Sequence, residues 1–162
     1  MSHSPEIEQF WQAYRAALPA GAEPPEDTYE AWHFTDNREG ANHLAALVLA
    51  GIKTATSSLY WEYASGEEPV PHPGSLSVVT DWDGHPLCII QTTQVDIRPF
   101  NQVPADFAFD EGEGDRSLDY WRRVHWEVHT RTCAVLQRTP QEDMLTVCER
   151  FRVIYTPQGG AA

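Results

Sequence analysis

An α+β fold is what this 162-residue sequence predicts, and three observations carry the prediction. Apolar residues recur at helical spacing near the N-terminus, again over residues 41–48, and again over 118–128. From Ser75 the period changes to runs rich in Val, Ile and Thr, interrupted at Asp83-Gly84. Helices lead and trail those runs instead of alternating with them one by one, which separates α+β from α/β.

The elements follow in order. Ser4-Pro5 reads as an N-cap with proline at the first helical position, and Phe10, Trp11, Tyr14 and Leu18 form the apolar stripe behind it. Pro19 and Gly21 end that helix, and Glu23–Asp27, with Pro24-Pro25, reads as a linker. Asp36 with Glu39 resembles a capping box opening a helix whose stripe is Ala41, Leu44, Ala45 and Val48, closed by Gly51. Ile52–Ser58 then reads as a Ser/Thr-rich loop. Ser75–Trp82 and Pro86–Arg98 predict a hairpin across the two-residue turn Asp83-Gly84. Pro104 starts a short helix through Phe107-Ala108, Glu111–Asp115 breaks it, and Asp115 or Ser117 caps a longer helix bearing Leu118, Trp121, Val124 and Val128. Met144–Tyr155 predicts a last strand and Thr156–Ala162 a loose tail. There is no internal repeat.

Composition narrows the class. The length favours one domain, and 41% hydrophobic with 11% aromatic residues is enough for a packed core and too much for a disordered acidic chain. The formal net charge of −13 repels nucleic acid at long range, which argues against wrapping duplex DNA. Contact with a nucleic acid then needs a local pocket and stacking, for which six Trp, six Tyr and six Phe leave room. Met1–Glu6 lacks the basic region and apolar core of a signal peptide. The longest apolar run, Leu44–Ala50, is far short of the ~20 residues that span a bilayer, so a cytoplasmic protein is expected. Cys88, Cys133 and Cys148 include no CxxC pair and read as buried free thiols.

Lys53 is the one lysine among 11 basic residues. Arginine cannot give up its proton in a protein, whereas a buried lysine can be tuned as a base or proton donor. Thr56, Ser57 and Ser58 stand close by, and a hydroxyl nucleophile needs such a neighbour. On a regular strand positions three apart face opposite sides, so Lys53 and Thr56 meet only across a turn or bulge. The glycine-spaced acids Asp110-Glu111-Gly112-Glu113-Gly114-Asp115 read as a capping region, a catalytic carboxylate, or a hard-cation site using Glu113 and Asp115. His125, His129 and Cys133 share a helix face at zinc-like spacing, although packing explains them as well. Among the aromatics, Trp32, Phe34, Tyr60, Trp61, Tyr63 and Trp121 divide between core packing and base stacking.

The set as a whole resembles the ASCH domain family, relatives of the PUA RNA-binding fold. The resemblance runs from about Phe10 to Tyr155. It rests on Gly51-x-Lys53-x-x-Thr56 after an amphipathic helix, Pro73-Gly74 before a strand, and Ala108-x-x-Glu111-Gly112-Glu113-Gly114-Asp115. Ser117-Leu118-x-x-Trp121 and Cys148-Glu149-Arg150-Phe151 complete it. Phe34-Thr35-Asp36 departs from the pattern, which has glycine in the middle. The resemblance implies a small PUA-like mixed or antiparallel β-barrel with flanking helices. Residues 1–162 would form a single ASCH-like domain: a helical segment about 5–51, the barrel and its helices about 52–155, and a tail 156–162.

It also implies a cleft for RNA or a pyrimidine nucleoside. Some members remove an acetyl group from the exocyclic amine of cytidine with a lysine, a threonine and a glutamate that match Lys53, Thr56 and Glu111. Larger members are described as single-strand ribonucleases using a divalent cation. In the amidohydrolase reading, which needs no cofactor, the Lys53 amine takes the proton of Thr56, Thr56 is acylated, and Glu111 orients Lys53 or activates water. A carboxylate beside Lys53 opposes the first step. Ser57, Ser58, Tyr60, Trp61, Trp121 and Arg122 are the expected substrate contacts. The expected partner is a modified pyrimidine nucleoside or single-stranded RNA, with neither duplex DNA nor membrane. Amide hydrolysis leads, with a metal-dependent ribonuclease and a non-catalytic binding module as the alternatives.

Overall fold

The computed structural model describes residues 2–161. Helix α1 spans Pro5–Ala17, with Ser4 accepting the Ile7 amide and proline at the first turn as expected. A short strand β1, Glu30–Trp32, precedes α2, Arg38–Leu49, and so interrupts the helical N-terminal segment. Strands β2 (Ala55–Leu59), β3 (Leu76–Thr80) and β4 (Pro86–Pro99) follow, then α3 (Ala105–Glu111) and α4 (Leu118–Val135). β5 (Leu145–Thr156) and β6 (Gly160–Ala161) close the chain.

The strands form one mixed sheet in the order β1-β3-β4-β5-β2, with β6 added beside β5. β1 and β3 run parallel and the other pairs antiparallel. The sheet curls as a half-barrel flanked by four α-helices, the α+β PUA-like architecture expected from the sequence. β3 is buried on both faces, which period-2 patterning alone does not reveal. Leu76 and Val78 pack with Ile7, Trp11 and Tyr14 of α1, whereas Val79 packs with Ala45 and Val48 of α2. The third core, under α3 and α4, joins Phe107 and Trp121 to Ala55 and Leu59 of β2. Cys88, Cys133 and Cys148 are free and buried, and burial pushes the Cys88 and Cys148 thiols up to about 12.

Several expectations are corrected. The cap of α2 is Asn37, whose side chain accepts the Gly40 amide at 2.8 Å; Asp36 is engaged by Arg131 instead. The hairpin connection spans Asp81–His85 and not two residues, with the Asp81 amide bonded to the His85 carbonyl. The loop expected after Lys53 becomes strand at Ala55, because β5 offers Thr146–Arg150 as a pairing edge. Residues 156–161, expected as a loose tail, turn back so that β6 pairs with Tyr155 and Thr156. Among the described residues no helix is long and apolar enough to cross a membrane.

Candidate functional site

α2 releases the chain at Gly51, whose φ of +75° is the left-handed turn that glycine adopts without strain. The Ile52 and Lys53 amides both return to the Leu47 carbonyl, and the Thr54 amide donates to the Asp110 carbonyl at 2.8 Å. These bonds pin the Lys53 backbone between α2 and the end of α3. From the other side α3 stops at Gly112, φ +74°, where a Cβ would meet the Ile52 carbonyl oxygen at 2.7 Å. Glycine there lets the two chains cross close enough for Lys53 to reach Glu111.

The result is a buried ion cluster. Lys53 and Glu111 are 2% and 1% exposed, so neither charge is left to water. The Lys53 ammonium donates to Glu111 Oε1 at 3.2 Å and lies 3.6 Å from Glu113 Oε2. Glu111 Oε2 accepts the Ser57 hydroxyl at 2.8 Å and the Trp121 indole N–H. His125 donates from Nδ1 to the Trp121 carbonyl at 2.8 Å, which leaves Nε2 facing Glu111 and Glu113 at 3.4 and 3.6 Å. Burial opposes ionisation of Glu111, but the charges of His125 and Lys53 with the His125 and Trp121 hydrogen bonds overcome it and hold the carboxyl below its usual range. Burial likewise opposes a charge on His125, and Glu111 with Glu113 reverses the balance and raises its pKa.

Two chambers meet beside this cluster. One, about 290 Å³, is lined by Lys53, Glu111, Glu113 and His125. The other, about 250 Å³, is lined by Trp32, Ser58, Glu62, Tyr63 and Glu149. Thr35, Thr56 and Ser57 line both. Strand alternation explains the sharing: Ser57 points with Ala55 and Leu59 toward α3 and α4, and Thr56 turns the other way. In the second chamber Ser58 and Tyr63 hydroxyls bond at 2.8 Å, and burial pushes the Tyr63 phenol up to about 12, keeping it neutral. Glu149 accepts the Thr92 hydroxyl at 2.6 Å, and burial raises its carboxyl above the ordinary value against that bond and the Lys53 charge.

Lys53, Thr56 and Glu111 therefore come to one place, together with Ser57. Of the aromatics weighed for stacking, Trp32 and Tyr63 line the second chamber, whereas Tyr60, Trp61 and Trp121 line neither. Trp121 is 2% exposed and holds Glu111, so its ring is closed to a ligand. Tyr60 and Trp61 lie on the short helical turn after β2, outside both chambers, with the Arg138 guanidinium 5.1 Å from the Trp61 ring. Arg122 donates to the Asn101 carbonyl at 3.1 Å on a different face.

Asp115 is exposed and caps the Ser117 amide, whereas Glu113 joins the cluster. Glu111, Glu113 and His125 offer ligand atoms within 4.8 Å of one another, a geometry for a divalent ion whose position the ammonium contests. His129 and Cys133 are buried beside His125 but do not join that set. Sequence reasoning missed Glu149 and left His125 between zinc and packing. A charge set between Val147-Cys148 and Phe151 in an apolar strand is the signal that marks Glu149.

The ASCH domain family model matches residues 30–155. The crystal structure of an ASCH domain from Lactobacillus crispatus JV V101 is similar with a TM-score of 0.89 at 37% identity, covering 96% of this chain and 98% of that one. Protein EF3133 from Enterococcus faecalis V583, described under the family model DUF984, is similar with a TM-score of 0.80 at 36% identity, covering 92% and 88%. Hypothetical protein PH0355 shares the fold alone, with a TM-score of 0.50 at 13% identity over 76% of this chain and 99% of that one. No curated protein matches. With the family model spanning both chambers and every strand from β1 to most of β5, this chain belongs to the ASCH domain family.

Proposed function

We propose that this protein hydrolyses the amide of an N4-acylated cytidine, with Thr56 as acyl acceptor and the Lys53–Glu111 pair as its polar anchor. The observation that carries the reading is a buried ammonium–carboxylate pair opening onto the cavity whose wall also holds the Thr56 hydroxyl. Burying two charges costs several kcal/mol per ion unless the surroundings repay it, so a fold gains little stability from keeping the pair. In a water-poor cleft the same fixed charge stabilises an oxyanion far better than in solvent. Each chamber alone is smaller than the ~300–1,000 Å³ typical of small-molecule sites, and only the two joined reach that range. Trp32 and the acceptor-rich second chamber suit a base bearing N–H donors. The reaction needs no cofactor.

The test is incubation of the purified protein with N4-acetylcytidine and measurement of released cytidine. Thr56→Ala and Lys53→Met are each expected to lower turnover at least ~100-fold while the protein stays folded. Full activity in either variant would overturn the assignment.

A second reading, a divalent-metal-dependent ribonuclease on single strands, draws on the Glu111, Glu113 and His125 cluster. The net charge of −13 works against holding a polyanion. Cleavage of labelled single-stranded RNA that EDTA abolishes would favour it. Nucleoside binding without product would mark a binding module.

A further inference from the structure

We propose that Glu149 is the base that takes the proton of Thr56 and returns it to the leaving amine. This rests on the hydrolase reading and deepens it. In the β2–β5 ladder Thr56 stands directly opposite Glu149. Residues so paired share a face, with Cβ atoms about 4.5–5.5 Å apart. Both side chains line the same chamber. Glu149 is 7% exposed, and its Oε1 is held by the Thr92 hydroxyl at 2.6 Å. Among the described residues Oε2 has no protein donor, so it is available to a hydroxyl across the strand.

Lys53 is differently placed. Its ammonium is already engaged by Glu111 and Glu113 at 3.2 and 3.6 Å, a geometry suited to a fixed positive pole and poorly suited to receiving a proton. Dividing the work between the two groups removes the conflict noted in the sequence. The raised proton affinity of Glu149 agrees with a base acting near neutral pH. The other titratable groups around that chamber are Glu30 of β1, His33, Glu62, Tyr63 and Glu68, with the Lys53 charge reaching Glu149 from beyond Thr56.

The steps balance. Thr56 Oγ bonds to the acyl carbon as its proton passes to Glu149. The C–N bond breaks, and that proton goes to the departing exocyclic nitrogen. Water then attacks the Thr56 ester and gives a proton to Glu149. The ester C–O bond breaks, the proton returns to Thr56, and the carboxylic acid leaves. The net change is amide plus water to amine plus acid.

The experiment measures kcat and KM for N4-acetylcytidine from about pH 5 to pH 9. It also follows acetylation of Thr56 by p-nitrophenyl acetate, read by peptide mass spectrometry, which does not depend on the nucleoside being the right substrate. Glu149→Gln keeps an acceptor for Thr92. It is expected to lower kcat by about 100-fold or more with little change in KM, to erase the acidic limb of the pH profile, and to abolish acetylation of Thr56. Thr92→Val removes a donor to the ionised form, so the acidic limb moves to higher pH.

If the nucleoside is not turned over but Thr56 is acetylated in a Glu149-dependent way, the substrate assignment fails and this inference stands. Glu149→Gln with normal kcat, a loss confined to KM, or Thr56 acetylation equal to wild type or absent from wild type would overturn it. Should Glu149→Gln not fold, an unmoved acidic limb in Thr92→Val overturns it equally.

Discussion

Thr35 holds a φ of +52°, a conformation that costs a β-branched residue of order 1–3 kcal/mol. It sits where glycine is expected from the sequence resemblance, between the Phe34 ring that lies 5.2 Å from the Lys53 ammonium and the Asn37 cap of α2. Its side chain lines both chambers, and its methyl covers Gly40 so closely that a Cβ there would be 2.7 Å away. Strain kept at the joint of two chambers fits a wall shaped for a ligand. Thr35→Gly is expected to raise unfolding stability by about 1 kcal/mol, strain relief exceeding the entropy cost of glycine. Urea denaturation measures it, and a less stable variant would show that the turn is not strained. The departure at this residue was readable in the sequence. That Thr35 adopts the glycine conformation regardless was not, since nothing local forces it there.

Helix α4 carries opposite electrostatic trends on one face. His125 gains from Glu111 and Glu113, so its contribution to stability is present below the ordinary imidazole value and is lost as pH rises through its raised one. His129, one turn on, is desolvated and repelled by His125, and its pKa falls to about 3. The unfolded chain protonates this residue below about pH 6.5. The folded chain does not until about 3, so stability is lost as pH falls through that window. The predicted cost of His129 at pH 4.5 relative to pH 7 is about 2–3 kcal/mol. His129→Leu is expected to flatten the decline in denaturation stability between those pH values by about that amount; an unchanged slope would contradict it. The i, i+4, i+8 spacing of His125, His129 and Cys133 was legible as one helix face. Which of them meets carboxylates depends on α3 ending beside α4 at Gly112, which helical periodicity does not encode.

At the scale of the whole molecule the excess of 13 negative charges dominates the surface. The exposed pairs Arg38–Asp83, Arg131–Asp36 and Arg15–Glu23 each contribute only ~0–1 kcal/mol. Screening them costs little, whereas screening the general repulsion is favourable. Raising ionic strength from about 0.01 M to about 0.15 M shortens the Debye length from roughly 30 to 8 Å, and Tm at pH 7 is expected to rise by a few degrees. A fall in Tm would mean that the pairs outweigh the repulsion. The same field disfavours long polyanions and leaves a neutral nucleoside unaffected, in keeping with a small ligand.

Sequence alone determined the class and the helices, and it singled out Lys53, Thr56 and Glu111, which the fold brings together. Periodicity, the Ser4 and Ser117 caps and the glycine stops are local, and a lone lysine near hydroxyls is visible without coordinates. Tertiary structure decided what those residues face. The short strand β2 exists only because β5 offers it a partner, and its register sets Thr56 against Glu149 and Ser57 toward Glu111. Strand pairing and the crossing at Gly112 join residues about 50–100 positions apart, and contacts over such separations are set by packing of the whole chain, beyond any local pattern.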